Sequence, residues 1–193
     1  TTVVTVTLKD GDHVGRGECG PNPRYNETPE SVVEEIEVIV KDIHRGLDRL
    51  NLQNVFPPGA ARNAIDCAFW DLESKRLNKP AWQIAGLKKP VPIQTAYTLS
   101  VDTPAALTKA AQLNSSRPLL KIKLNGSGDT DRIRAVKRGA PNARIIVDAN
   151  ESWSSYNFFD LAEELASLGV EMIEQPLADG SDNILAEQPH PLP

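Results

Sequence analysis

The sequence has 193 residues, 40% of them apolar and 24% charged, the balance of an ordinary globular protein rather than a fibrous or low-complexity one. A net charge of −5 argues against nucleic acid or an anionic membrane as a partner, because both call for basic patches. No apolar run approaches the ~20 residues of a membrane helix, and no basic stretch followed by an apolar core marks a secretory signal.

Residues 1–18 read as two strands around a tight turn: Val4, Val6 and Leu8 alternate with Thr5 and Thr7, Lys9-Asp10-Gly11-Asp12 turns, and Val14 to Glu18 returns. The stretch from Cys19 to Thr28 is too rich in Gly, Pro and Asn for regular structure. Thr28 or Ser31 can cap a helix that tolerates Pro29 in its first turn and carries Val32, Val33, Ile36, Ile39, Val40 and Ile43 at helical spacing. A second helix is predicted from about Ala60 to Arg76, with Ile65, Ala68, Phe69 and Leu72 on one face. Strands followed by helices predict a small α+β domain over residues 1–90.

From residue 91 to 193 the pattern alternates. Strands are expected at Pro92–Thr98, Leu119–Leu124, Arg144–Asp148 and Glu171–Glu174, and helices at Pro104–Leu113, Thr130–Arg138 and Asn157–Leu168. This is the rhythm of a parallel βα array with right-handed crossovers. A closed eight-unit barrel takes ~250 residues, so about four units predict a partial (β/α) barrel of the TIM type, the front part of a longer enzyme with two unpaired sheet edges.

Within this array Lys121-Ile122-Lys123 places two ammonium groups on one strand face, while Leu120, Ile122 and Leu124 take the other. Asp148 and Glu174 each close a later apolar strand, and the carboxyl ends of parallel strands are where such barrels build active sites. Each residue has a plainer reading: edge-strand lysines, a helix cap formed by Asp148 with Asn150, a solvated Glu174. Agreement among the four favours metal-assisted proton transfer.

These motifs resemble the enolase superfamily, and within it the dipeptide epimerases of the L-Ala-D/L-Glu epimerase type. The likeness covers nearly the whole chain. It rests on Gly15-Arg16-Gly17-Glu18-Cys19, Pro23-Arg24-Tyr25, the run from Gly59 to Asp66, Lys121-Ile122-Lys123, the run from Val147 to Trp153, and the run from Ile173 to Leu177. The resemblance implies an isomerase that abstracts a proton next to a carboxylate, with a Lys base and Mg²⁺ stabilising the enediolate. It implies Lys123 as base, Lys121 as the neighbour that lowers its pKa, and Asp148 and Glu174 as two of three metal ligands. Arg24, in a loop expected to fold over the barrel mouth, would pair with a substrate carboxylate. Asn150 would assist the ligand shell. Thr95 and Tyr97, near the end of the first barrel strand, would line the pocket or pack the barrel. The third ligand and the second acid/base lie beyond Pro193 by this resemblance, so the chain alone is expected to be inactive.

Muconate cycloisomerase or o-succinylbenzoate synthase is the enzyme alternative; a non-catalytic remnant binding a partner through its open edges is the other. A small-molecule dipeptide is the expected partner, and a homo-oligomer is left open. Cys19 and Cys67 are far apart in sequence and in no metal-ligand spacing, which predicts reduced thiols in a cytoplasm. His13, His44 and His190 stand in no mutual relation and read as structural or solvated. Trp70, Trp82 and Trp153 read as packing residues, and Arg62 with Asp66, one helical turn apart, as a surface ion pair. Asn125-Gly126-Ser127-Gly128 lacks the ending of a P-loop and reads as a βα loop.

Overall fold

The computed structural model describes residues 2–187 and 189–193. The polypeptide divides into two compact units, Thr1–Val91 and Pro92–Pro193.

In the first unit β1 (Val4–Asp10) and β2 (His13–Cys19) form an antiparallel hairpin, with Asp10 opposite His13. Gly11 turns at φ 57°, a conformation that costs glycine little. The Gly-Pro-Asn loop that follows is more regular than its composition predicts. Pro23–Tyr25 form a 3₁₀ turn because the Asn22 side chain accepts the Arg24 N–H at 3.0 Å. Helix α1 (Pro29–His44) uses both expected residues: the Thr28 hydroxyl accepts the Ser31 N–H at 3.1 Å, and the Ser31 hydroxyl accepts the Thr28 N–H at 3.0 Å. Helix α2 (Arg49–Val55), capped by Asp48, and the single turn α4 (Ala81–Ile84) are too short to show a helical period in the sequence.

Helix α3 (Ala60–Leu77) buries Ile65, Ala68, Phe69 and Leu72 as its periodicity predicts. It lies so close to β2 that a Cβ on Gly15 would stand 2.2 Å from the Ala68 carbonyl oxygen, and one on Gly17 2.0 Å from that of Ala64. Gly-Arg-Gly in the strand and small residues in the helix are therefore one packing solution.

The second unit is a four-stranded parallel sheet in the order β3 (Tyr97–Leu99), β4 (Leu119–Lys123), β5 (Arg144–Asp148), β6 (Val170–Glu174). Helices α5 (Pro104–Leu113), α6 (Asp129–Gly139) and α7 (Phe158–Ser167) join the strands, and a short α8 (Asn183–Glu187) follows. Leu120, Ile122, Ile145 and Val147 are fully buried, clustered with Leu107, Ile133, Val136 and Leu165 of the helices. The opposite sheet face carries Lys121, Lys123, Ile146, Asp148 and Glu174, by the parallel register.

The first strand is shorter than expected. Residues 92–96 stay outside the sheet, where Pro92 offers no N–H and Ile93 is 81% exposed. At the other edge the Ile173 N–H donates to the Pro193 carbonyl at 3.0 Å. No helix among the described residues is long and apolar enough to cross a membrane.

Candidate active site

Parallel register fixes the site before any side chain is considered. Lys123 pairs with Asp148 and Asp148 with Glu174, so three adjacent strands end at one level with their functional residues on one face. The Lys123 ammonium lies 2.8 Å from Asp148 Oδ2 and donates to Asn150 Oδ1 at 3.0 Å. Lys121 reaches the same Asp148 oxygen at 3.1 Å and Glu174 Oε2 at 2.5 Å. Asp148 is nearly sealed, with 2% of its side chain exposed, whereas Glu174 is 40% exposed.

Burial alone would raise the Asp148 pKa, but the two ammoniums and the Asn150 N–H outweigh it and hold the carboxyl below its ordinary value. Burial likewise works to lower the Lys121 pKa, yet bonding to Glu174 and Asp148 prevails and the net shift is upward. Lys121 is thus a firm cation.

The backbone bends sharply just past each carboxylate. Asn150, Glu151 and Gln175 adopt φ of 51°, 62° and 46°, a region sparsely used by residues with a side chain. The bends are zipped together: Ala149 N–H donates to the Glu174 carbonyl at 2.9 Å and Glu151 N–H to the Gln175 carbonyl at 2.8 Å. Asn150 caps no helix. Its Nδ2 donates to the Leu124 and Asp148 carbonyls at 3.2 and 2.9 Å, which aims its oxygen at Lys123.

Thr95 requires a correction. It lies outside β3 and is exposed, toward the amino-terminal ends of the strands, because Tyr97 already stands level with Leu120. The strand begins later than its apolar pattern suggests, so Thr98 is the residue beside Lys121 on the site face. Tyr97 lies under the Arg117 guanidinium, 4.0 Å from its ring centre. Arg24 belongs to the first unit, exposed on the turn that Asn22 caps. Glu27 pins that turn: it accepts the Ala60 N–H at 2.7 Å and the Asn22 N–H at 3.0 Å, and these bonds lower its pKa.

The glycine-rich loop after β4 is no anion cradle, since the Asn125 and Gly126 N–H groups already bond Asp129. Arg62 and Asp66 form no pair. Arg62 donates to the Phe56 carbonyl at 3.1 Å, and Asp66 Oδ1 is buried without a hydrogen-bond partner.

Asp148 and Glu174 suit a hard divalent cation in donor type and in placement on neighbouring strands. They fall short in number, and no cluster of three or more His, Cys, Asp or Glu able to hold a metal occurs among the described residues.

Comparison with known proteins agrees with this architecture. Residues 1–86 match the mandelate racemase/muconate lactonizing enzyme amino-terminal domain, and residues 91–188 the enolase C-terminal domain-like family. Over 193 residues the chain is 40% identical to the L-Ala-D/L-Glu epimerase of Escherichia coli K12, covering 99% of this chain and 60% of that protein. A solved enolase family member from Agrobacterium tumefaciens, with homology to dipeptide epimerases and bound sodium and L-Ala-L-Glu, is 46% identical with a TM-score of 0.91. The match covers 98% of this chain and 58% of that one. A dipeptide epimerase from Enterococcus faecalis complexed with Mg and L-Leu-L-Tyr is 28% identical with a TM-score of 0.80, over 91% of this chain and 53% of that one. The chain therefore spans about 60% of the length of the E. coli relative it matches. With the cap matched over residues 1–86 and the Lys-x-Lys, Asp and Glu strand ends inside the match to residues 91–188, the chain belongs to the enolase superfamily.

Proposed function

We propose that the chain is the amino-terminal portion of a Mg²⁺-dependent dipeptide epimerase acting on substrates of the L-Ala-L-Glu kind. The observation that carries this reading is the set of ion pairs, 2.5 to 3.1 Å long, joining Lys121, Lys123, Asp148 and Glu174 at the carboxyl ends of three strands. Lys123 is the base that takes the proton next to the substrate carboxylate. Lys121, kept cationic by its carboxylate partners, offsets the negative charge that develops. Asp148 and Glu174 would hold Mg²⁺, whose part is Lewis acidity toward that carboxylate.

Asn150 orients Lys123, and Arg24 pairs with the side-chain carboxylate of the dipeptide. Thr98 takes the pocket position first expected of Thr95. The remaining ligand and the second acid/base lie outside this sequence. Cys19 and Cys67 are free thiols, which supports a cytoplasmic setting. Identities of 40% and 46% to proteins named for the L-Ala-D/L-Glu reaction or for homology to dipeptide epimerases favour this reading over a muconate cycloisomerase. A muconate lactonizing enzyme from Klebsiella pneumoniae is 27% identical.

The test is exchange of the dipeptide α-proton in D₂O with Mg²⁺, followed by NMR. The chain alone should show none. The chain continued by the remaining carboxyl-terminal part of the Agrobacterium relative should exchange L-Ala-L-Glu and leave muconate untouched. A folded chimera without exchange overturns the reading; exchange by the chain alone overturns its incompleteness.

A further inference from the structure

Three loops follow β3, β4 and β5 at the carboxyl ends of the strands, and one buried carboxylate ties them together. Asp129, 2% exposed, opens α6. Its Oδ1 accepts the Asn125 N–H at 3.2 Å and its Oδ2 the Gly126 N–H at 2.9 Å, both from the loop after β4. The same Oδ2 accepts the indole N–H of Trp153 at 2.8 Å, from the loop after β5. Arg132 donates to Asp129 Oδ1 at 3.1 Å and to the Ser127 carbonyl. Through Nε it also donates to the Asp102 carbonyl at 3.1 Å, in the loop after β3. The loops also touch directly: a Cβ on Gly126, which sits at φ 88°, would stand 2.9 Å from the Ser152 carbonyl oxygen.

Closing the turn between β4 and α6 explains the bonds to Asn125 and Gly126 and leaves the others unexplained. A carboxylate that only closes its own turn does not recruit an indole from a neighbouring loop or a guanidinium that reaches a third one. Burying a carboxylate carries a desolvation cost that its donors at best offset, so its gain in net stability is small. What such a group supplies is a fixed geometry among the elements it bonds.

That geometry is the site's own. Lys123 immediately precedes the loop that Asp129 bonds, and Asp148 closes β5 at the head of the loop that carries Asn150 and Trp153. We propose that Asp129 is a positioning residue: it sets the placement of Lys123 relative to Asp148 and Asn150 by locking their two loops together, and Trp153 is the far end of the lock. The importance of that placement rests on the proton-transfer reading above, in which a shift of about 1 Å can cost about 10²-fold in rate. The lock itself can be tested without turnover.

The experiment uses the chain as it is, with Trp153→Phe, which removes one N–H and keeps an aromatic ring, and Asp129→Asn. Hydrogen exchange is followed by mass spectrometry over residues 124–128 and 149–153. Amine labelling of Lys123 is measured against exposed Lys109 in the same molecules. Each substitution should speed exchange in both loops by about tenfold, the factor a charge-assisted hydrogen bond is worth. Labelling of Lys123 relative to Lys109 should rise by about threefold, since a loosened loop opens without global unfolding. A merely structural Asp129 would lower the melting temperature and leave that labelling ratio unchanged. An unchanged ratio in folded protein, or loosening confined to the loop that bears the substitution, overturns the proposal. Where Asp129→Asn does not fold, Trp153→Phe decides. Neither readout requires an epimerase, so failure of the lock and failure of the proposed function are separate results.

Discussion

The two units of this chain solve opposite problems. In the first, hairpin and helices are drawn together until backbone nearly meets backbone, and the fit of Gly15 and Gly17 against Ala64 and Ala68 leaves room for nothing else. In the second, the helix face of the sheet is an ordinary aliphatic core, while the other face gathers two ammoniums and two carboxylates. The first arrangement yields stability through contact. The second accepts the desolvation of Asp148 to hold charges where substrate chemistry needs them.

The sharpest blow to the second region is functional. In the chimera described above, Lys123→Ala should lower α-proton exchange by about 10³-fold, the scale of a lost general base. The matching blow to the first region is Gly17→Ala. Its methyl would meet the helix backbone rather than a yielding side chain, and urea denaturation should show a loss of about 3 kcal/mol. Asp148→Ala removes the carboxylate both ammoniums share but leaves Lys121 its bond to Glu174 and Lys123 its bond to Asn150, so the expected loss is smaller, about 2 kcal/mol by the same measurement.

Titration refines the contrast. The depressed pKa of Asp148 means that the unfolded state binds its proton first. The stability it contributes is complete above the ordinary carboxylate range and is lost as pH falls through the folded value. Lys121 has the opposite sign: its contribution is complete below the ordinary lysine value and fades as pH rises through the raised one. Thermal melts across pH should therefore show a plateau falling at both ends, with the acid arm flattened in Asp148→Ala. Glu174→Gln is the mildest change. At 40% exposure its ion pair is screened, and the stability cost should stay under about 1 kcal/mol.

Where a local physical signal was complete, the sequence was readable. Thr28 and Ser31 ahead of a helical apolar repeat marked the start of α1, and the alternation around Lys121 and Lys123 marked both the strand and the face of the site. Helix α2 escaped because seven residues carry too few apolar repeats to show a period, although Asp48 gave its cap. Thr95 was misplaced because apolar alternation continues upstream of β3, where no neighbouring strand supplies hydrogen bonds. The Asp129–Trp153 bond joins residues 24 apart with no shared motif, so only the fold brings it to view. Arg62 and Asp66 had the right spacing for a pair, but a backbone carbonyl held the guanidinium more closely.

The left-handed residues behind Asp148 and Glu174 limit how such a site can change. At Asn150, Glu151 and Gln175 the direction of the chain is set by torsions that β-branched side chains resist. Substitution there is channelled toward Gly, Asn and Asp, whatever the substrate. New specificities would therefore have to be written into the surrounding loops, with these two corners inherited unchanged.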